Sequence, residues 1–141
     1  MKVTKLLVLS LLLIVVSACG GSKEEKTNAV CTIKSGGSEQ SIEIYDNKGK
    51  VEKLALKTSL ETDKENADAL DKEFESAYSN FKGVSVDSDY KDGFYHLTLT
   101  IELSKLDEEQ RSQIYMILGV AEEDEKDKLI KAFEEADYTC K

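Results

Sequence analysis

The sequence predicts an α+β domain, built on an antiparallel sheet of about five strands in the order βββαββαα with helices packed on one face. Three observations predict it. Apolar residues alternate with polar ones in two separate blocks, short turns of two or three residues containing glycine divide those blocks into hairpins, and apolar stripes at helical spacing follow each block. Because the strands come in hairpins and do not alternate with helices, the sheet should be antiparallel.

The first block contains three strands. A two-residue turn at Gly36-Gly37 places Cys31 opposite Ile42. A three-residue loop over residues 47–49 then places Ile42 opposite Leu54. These pairings give all three strands one shared apolar face.

The second block is a hairpin around Asp92-Gly93, a dipeptide that favours a type I′ turn. The register that this turn implies aligns Tyr90 with Tyr95. On the other face of the hairpin it places Asp89 opposite His96.

Three helices complete the pattern. Thr62 and Glu65 have the spacing of a capping box, which predicts a helix running to about Phe81. Two further helices are predicted over residues 107–118 and 124–136.

The N-terminus has the three zones of a secretion signal. Lys2 and Lys5 make the start positive, residues 6–16 are apolar apart from one serine, and the small residues Ser17-Ala18 precede Cys19. A membrane-spanning helix needs about 20 apolar residues, and this run is roughly half as long. The sequence therefore predicts a signal peptide over the first 18 residues.

Val16-Ser17-Ala18-Cys19 also resembles the lipobox of bacterial lipoproteins, although leucine is commoner than valine at its first position. The resemblance implies a diacylglyceryl group on the Cys19 sulfur, cleavage before Cys19, and in many species a further acyl chain, such as palmitate, on the new amine. Two or more chains make a stable membrane anchor. The alternative is a cysteine that follows an ordinary cleavage site by chance.

This reasoning divides the chain into a signal over residues 1–18, a polar tether over residues 19–28 and one domain over residues 29–141. The location expected is the extracytoplasmic side of the cell membrane. Gly20 stands where an aspartate would retain a lipoprotein in the inner membrane, so the outer membrane is expected in a bacterium that has two.

The whole chain has a net charge of −9, and removal of the two signal lysines makes it −11. This charge argues against nucleic acid as a partner, because nucleic-acid binding needs a basic surface. No phosphate-binding loop, dinucleotide fingerprint or hydrolase elbow is present, so no cofactor is expected.

Cys31 and Cys140 remain once Cys19 carries lipid, and an even pair in an exported domain predicts a disulfide. The alternative is two free thiols. Residues 138–140 should return to the sheet, where Cys140 would meet the apolar face on which Cys31 lies.

The sequence is compatible with three kinds of function. The first is a non-enzymatic module that binds an envelope protein or a small ligand through the outer sheet face. The residues that single out this face are Tyr45, Asp89, Phe94, His96 and Thr98. The second is a small hydrolase that uses carboxylates, for which the pair of Asp89 and His96 would be tested first. The third is a cation-binding module.

The cation-binding hypothesis rests on three aspartates that resemble the start of an EF-hand loop: Asp87, Asp89 and Asp92. One extra residue precedes Asp92, and Leu99 stands where a calcium loop has its glutamate. Strand alternation and turn chemistry account for the same three aspartates without a metal.

The chain resembles the YehR-like family of small bacterial lipoproteins of unknown function. The similarity lies in Cys31-Thr32-Ile33, residues 41–60, the helix end at residues 78–81 and the hairpin at residues 90–103. It implies the fold and the envelope location. It implies no functional residue except the lipid-bearing Cys19.

Overall fold

The computed structural model describes residues 27–141. The predicted signal peptide, the lipobox and most of the tether lie outside these residues. The elements in chain order are β1 Ala29–Ser35, β2 Ser38–Asn47, β3 Lys50–Glu61, α1 Lys64–Tyr78, β4 Val84–Lys91, β5 Phe94–Glu102, a 3₁₀ turn Leu103–Lys105, α2 Glu108–Leu118, α3 Lys126–Glu135 and β6 Thr139–Cys140.

The strands form one antiparallel sheet in the order β4-β5-β3-β2-β1-β6. The α+β class and the element order are confirmed. The described chain has six strands where the sequence predicted about five, because the expected return of the C-terminus to the sheet forms the short strand β6 beside β1.

The core lies between one face of this sheet and the helices, with α1 against β4 and α3 against β1 and β6. We call the helix-covered side the inner face and the opposite side the outer face. Alternate strand positions are buried on the inner face, as the period of two requires. The largest fully buried side chains are Tyr115, Phe133, Ile42, Ile44, Leu54, Leu99, Ile101, Leu129 and Cys31.

The pairing of β2 with β3 differs from the prediction. Ile42 lies opposite Leu56, two residues further along β3 than Leu54. The turn has two residues, Lys48-Gly49, and a bulge leaves Glu52 as an extra residue in β3. Because side chains alternate between the two faces, a shift of two residues keeps the same side chains on the inner face. The predicted core residues of β3 are therefore correct although the predicted register is wrong.

The helix ends follow from local chemistry. Asp63 caps α1 by accepting a hydrogen bond from the Asn66 amide at 2.8 Å, so the predicted cap at Thr62 was one residue early. For α2, predicted over residues 107–118, Asp107 is the N-cap and accepts a hydrogen bond from the Gln110 amide at 2.8 Å. The helix ends at Gly119, which is left-handed at φ 73°.

Cys31 and Cys140 form a disulfide, with sulfurs 2.04 Å apart. They are direct partners between β1 and β6, and Val30 and Lys141 beside them exchange two backbone hydrogen bonds. Cys31 is completely buried.

The loop between α2 and α3 is held by Tyr115. Its side chain is 1 % exposed, and its hydroxyl donates to the Glu123 carbonyl at 2.8 Å. Burial raises the pKa of Tyr115 to about 12. Among residues 27–141, no helix is both long and apolar enough to cross a membrane.

Candidate functional site

The predicted ligand residues all lie on the outer face, but they occupy two separate ends of it. Lys53 of β3 lies opposite Tyr45, and Glu61 of β3 lies opposite Phe94. Eight residues of strand separate these two positions, which is roughly 26 Å at about 3.3 Å per residue. Tyr45 therefore belongs to one site and Phe94 to another.

The outer face is shallow at the end that carries His96. The predicted cross-strand pairing of Asp89 with His96 is confirmed. The His96 ring stacks on Phe94 with centroids 6.3 Å apart, and Phe94 is 37 % exposed. A depression of about 220 Å³ is lined here by Asp87, Ser88, Asp89, His96 and Thr98.

The three aspartates of the cation hypothesis do not form a ligand set. Asp87 and Asp89 lie on β4, opposite Thr98 and His96, while Asp92 occupies the turn with φ 54°. Within residues 27–141, no three His, Cys, Asp or Glu side chains are arranged to hold a metal ion. Strand alternation and turn geometry account for these aspartates.

The end that carries Tyr45 holds a polar network. Glu43 accepts a hydrogen bond from the Tyr45 hydroxyl at 2.8 Å and one from the Lys57 ammonium at 2.6 Å. The Lys53 ammonium lies 4.2 Å from the centre of the Tyr45 ring, within cation–π range. These contacts fix the orientation of an aromatic side chain that would otherwise be free on the surface.

The charge of Glu43 is stabilised in this network. Partial burial opposes ionisation, but the hydrogen bonds from Lys57 and Tyr45 prevail, so the pKa of Glu43 lies below its usual value. Ala55 lies opposite Glu43 on β3 and is 6 % exposed. Because its side chain is small, the surface is depressed at this point of the outer face.

Beside the network lies a depression with a volume of about 740 Å³. We call it the Tyr45 groove. Its lining residues are Asn28, Tyr45, Asp46, Glu52, Lys53, Thr100, Glu102 and Ser104. The lining offers one aromatic ring, one ammonium, several carboxylates and neutral hydroxyls, which suits a polar ligand that has both donors and acceptors.

The floor of the groove is tied to the start of the domain. The Asn28 amide side chain donates to the Asp46 carbonyl at 3.0 Å, and the Asn28 backbone N–H donates to Ile44. Asp46 in turn accepts from the Gly49 N–H and pairs with Lys126 at 3.3 Å. Asn28, assigned by the sequence to the tether, is thus part of the domain.

The hydrolase hypothesis needs a carboxyl group able to hold a proton at neutral pH. The pKa values of Glu43 and Asp46, the two carboxyls in and beside the groove network, are both shifted downward. For Asp46 the backbone N–H of Gly49 is the main cause, helped by Lys126 against the effect of burial. Such groups stay ionised and do not supply a general acid.

Sequence reasoning found Tyr45 but not its partners Glu43, Lys53 and Lys57. Alternation along β2 does place Glu43 on the same face as Tyr45. The predicted register put Glu43 opposite Lys53, whereas the bulge puts Lys53 opposite Tyr45. The network is visible only in the corrected register.

Comparison with known proteins gives a likeness of fold. The sequence matches no protein-family model and no curated protein sequence. The NMR structure of Escherichia coli YehR superposes with a TM-score of 0.69 at 21 % identity, over 83 % of this chain and 92 % of that one. The NMR structure of a protein from Streptococcus pneumoniae TIGR4 superposes with a TM-score of 0.58 at 13 % identity, over 86 % of this chain and 88 % of that one.

Proposed function

We propose, from the lipobox-like residues before Cys19 and the groove on the outer face, that this chain is a lipid-anchored envelope protein that binds a polar ligand or partner segment in the Tyr45 groove. The observation that carries the proposal is the groove itself, where an aromatic side chain is held in place by Glu43 and Lys53. Preorganised side chains lower the entropic cost of binding.

The lipid anchor rests on the lipobox-like residues before Cys19. Nine residues lead from Cys19 to Asn28, and a fully extended chain of that length reaches roughly 30 Å. Because Asn28 lines the groove, an anchor on Cys19 keeps the groove within that distance of the membrane surface. A ligand or partner in the envelope is consistent with this tether.

The strongly negative net charge supports a lipid anchor over direct electrostatic adsorption. Anionic lipid attracts basic segments and repels an acidic domain. Acyl chains provide affinity that does not depend on the charge of the domain.

Native mass spectrometry of the protein extracted gently from its own membranes tests both parts of the proposal. The anchor predicts a mature chain that begins at Cys19 and carries lipid mass. The binding function predicts a companion molecule at fixed stoichiometry. A chain that retains residues 1–18 and an unmodified Cys19 would contradict the anchor.

Two matched variants locate the companion. Thr100 lines the Tyr45 groove, and Thr98, two residues away on the same face of β5, lines the depression near His96. Thr100→Trp should fill the groove and abolish co-purification, whereas Thr98→Trp should leave it unchanged. Retention of the companion by Thr100→Trp contradicts binding in the groove.

A further inference from the structure

A separate depression of about 180 Å³ lies on the inner face, where α1 packs against the β4–β5 hairpin. We call it the Tyr95 pocket. The residues that matter are Lys64, Asp68 and Asp71 from α1, and Ser88, Tyr90 and Tyr95 from the hairpin. The sheet separates it from the Tyr45 groove.

The pocket contains a buried hydroxyl without a partner. Tyr95 is 3 % exposed, and its hydroxyl lies beside Ser88 and Asp71 without a well-aligned hydrogen bond to either. Beside it, the Ser88 hydroxyl donates to the Asp71 carboxylate. Native proteins rarely leave a buried hydroxyl unpaired, because it loses its bonds to water and gains nothing in return.

The surroundings of this hydroxyl are acidic. Asp68 and Asp71 lie one helical turn apart on α1, and Asp89 of β4 also lines the pocket. An ammonium group already lies at the rim, where Lys64 Nζ is 2.8 Å from an Asp68 oxygen and 5.8 Å from the centre of the Tyr90 ring. The pKa of Lys64 is raised, mainly by Asp68 and to a smaller extent by Tyr90 and Asp71.

These groups match an organic cation better than a metal ion. The described residues contain no set of three metal-ligating side chains, and the pocket offers an aromatic face, which metal ions do not need. A carboxylate, a hydroxyl oxygen and an aromatic ring are the groups that recognise an ammonium head. Tyr90 is fixed for this role by its hydroxyl, which donates to the Thr62 carbonyl at 3.1 Å.

We propose that the Tyr95 pocket binds a primary ammonium group, with Asp71 and the Tyr95 hydroxyl as acceptors of its N–H hydrogens and Tyr90 beside it. Such a group is carried by a free polyamine or by a lysine side chain. The pocket has room for the ammonium and its adjacent methylene groups but not for a whole peptide.

The test is an NMR titration of the isotope-labelled protein, following the amides of Asp71, Ser88 and Tyr95. The probes are spermidine and Nα-acetyl-lysine methylamide, with tetramethylammonium chloride at equal ionic strength as the control. Tetramethylammonium carries the same single charge as the lysine derivative but has no N–H to donate. We expect saturable shifts with both amines and none with tetramethylammonium.

The relative affinities for spermidine and the lysine derivative distinguish the two sources of the ammonium group. Because spermidine carries more charge than the lysine derivative, tighter binding of spermidine identifies a polyamine as the ligand only where it persists at raised salt. Tighter binding of the lysine derivative identifies a protein side chain. Equal shifts from tetramethylammonium, or no saturable shift with either amine, would overturn the proposal.

Variants separate binding from folding. Tyr95→Phe keeps the buried ring and should weaken amine binding about fivefold, and Asp71→Asn should weaken it about tenfold, as expected for a neutral and a charged hydrogen bond. Asp87→Asn makes the same charge change on the outer face and should leave affinity unchanged. Unaltered affinity in Tyr95→Phe contradicts the assigned site.

Lys64→Met should strengthen amine binding, whereas the two preceding variants of the pocket weaken it. It removes the resident ammonium that competes for the acidic groups, so amine affinity should rise about threefold, within the range reported for ion pairs near a surface. A loss of affinity in this variant contradicts the assigned arrangement.

Discussion

Cys31 and Cys140 lie side by side on neighbouring strands although 109 positions separate them in the chain. The strand that carries Cys140 has two residues and lies at the edge of the sheet. So short a strand has few backbone hydrogen bonds of its own, and the disulfide is the main restraint that keeps it paired.

Loss of this disulfide should cost about 4 kcal/mol of the free energy of unfolding, because closing a loop of this length restricts the unfolded chain. We expect Cys31→Ala with Cys140→Ala to show this loss in urea unfolding, with faster amide exchange at Val30 and Lys141. Reduced wild-type protein is the control, since it keeps both sulfurs in the core. Equal stability of the oxidised and reduced wild type would contradict the prediction.

Two buried tyrosines should respond oppositely to loss of the hydroxyl. Tyr115→Phe removes a hydroxyl that is bonded to Glu123 and should lower the free energy of unfolding by about 1 kcal/mol. Tyr95→Phe removes an unpartnered hydroxyl and should leave stability unchanged or raise it by up to about 1 kcal/mol. Denaturant unfolding of the two variants checks this. A larger loss in Tyr95→Phe than in Tyr115→Phe would refute it.

Glu43 should make folding sensitive to acid. Its pKa is lowered in the fold, so its stabilising contribution is present above the usual value of 4.5 and is lost as pH falls through the lower folded value. Glu43→Gln should cost about 1 kcal/mol at pH 7 and flatten the dependence of stability on pH below about 4.5. The control is Glu39→Gln, which removes an exposed pair with Lys34 and should change neither.

Gly83 should not tolerate a side chain. A Cβ atom there would lie 2.6 Å from the Glu102 carbonyl oxygen and 3.1 Å from Leu106. The Glu102 backbone is held in place by its N–H, which donates to Gly83 at 2.7 Å. We expect Gly83→Ala to cost about 1–3 kcal/mol in thermal or urea unfolding, as overpacking does.

The control for Gly83 is Gly37→Asn. Gly37 lies in a turn at φ 79° with open space around its Cβ position, and asparagine tolerates that conformation. It should cost less than about 1 kcal/mol. Equal losses at the two glycines would show that backbone conformation and not crowding is responsible.

Local turn chemistry determined which strand registers were predictable. The Asp92-Gly93 turn admits one two-residue geometry, so the pairing of Tyr90 with Tyr95 followed from the sequence. The bulge at Glu52 has no comparable signal, because an extra residue changes neither the turn nor the alternation beyond it. Strand order was not predictable, since it depends on contacts between distant segments.

The Tyr95 pocket escaped prediction for a related reason. Asp71 and Ser88 belong to different elements, and only the packing of α1 on β4 brings them together. One signal was present in the sequence. Ser88 occupies an inward position of β4 between Val86 and Tyr90, and a polar residue at a position that should be apolar marks a site that needs a partner.

The covalent link between β1 and β6 also affects how the domain carries force. Tension applied between residue 28 and Lys141 passes through Cys31 and Cys140, so the 108 residues enclosed by the disulfide bear none of it. The helices, strands β2 to β5 and the Tyr95 pocket are therefore shielded from a pull on the two ends, whereas the pull reaches the Tyr45 groove directly through Asn28. A molecule held at one end to a moving surface and at the other to a partner would keep the Tyr95 pocket undistorted, while tension would load the Asn28 side of the Tyr45 groove.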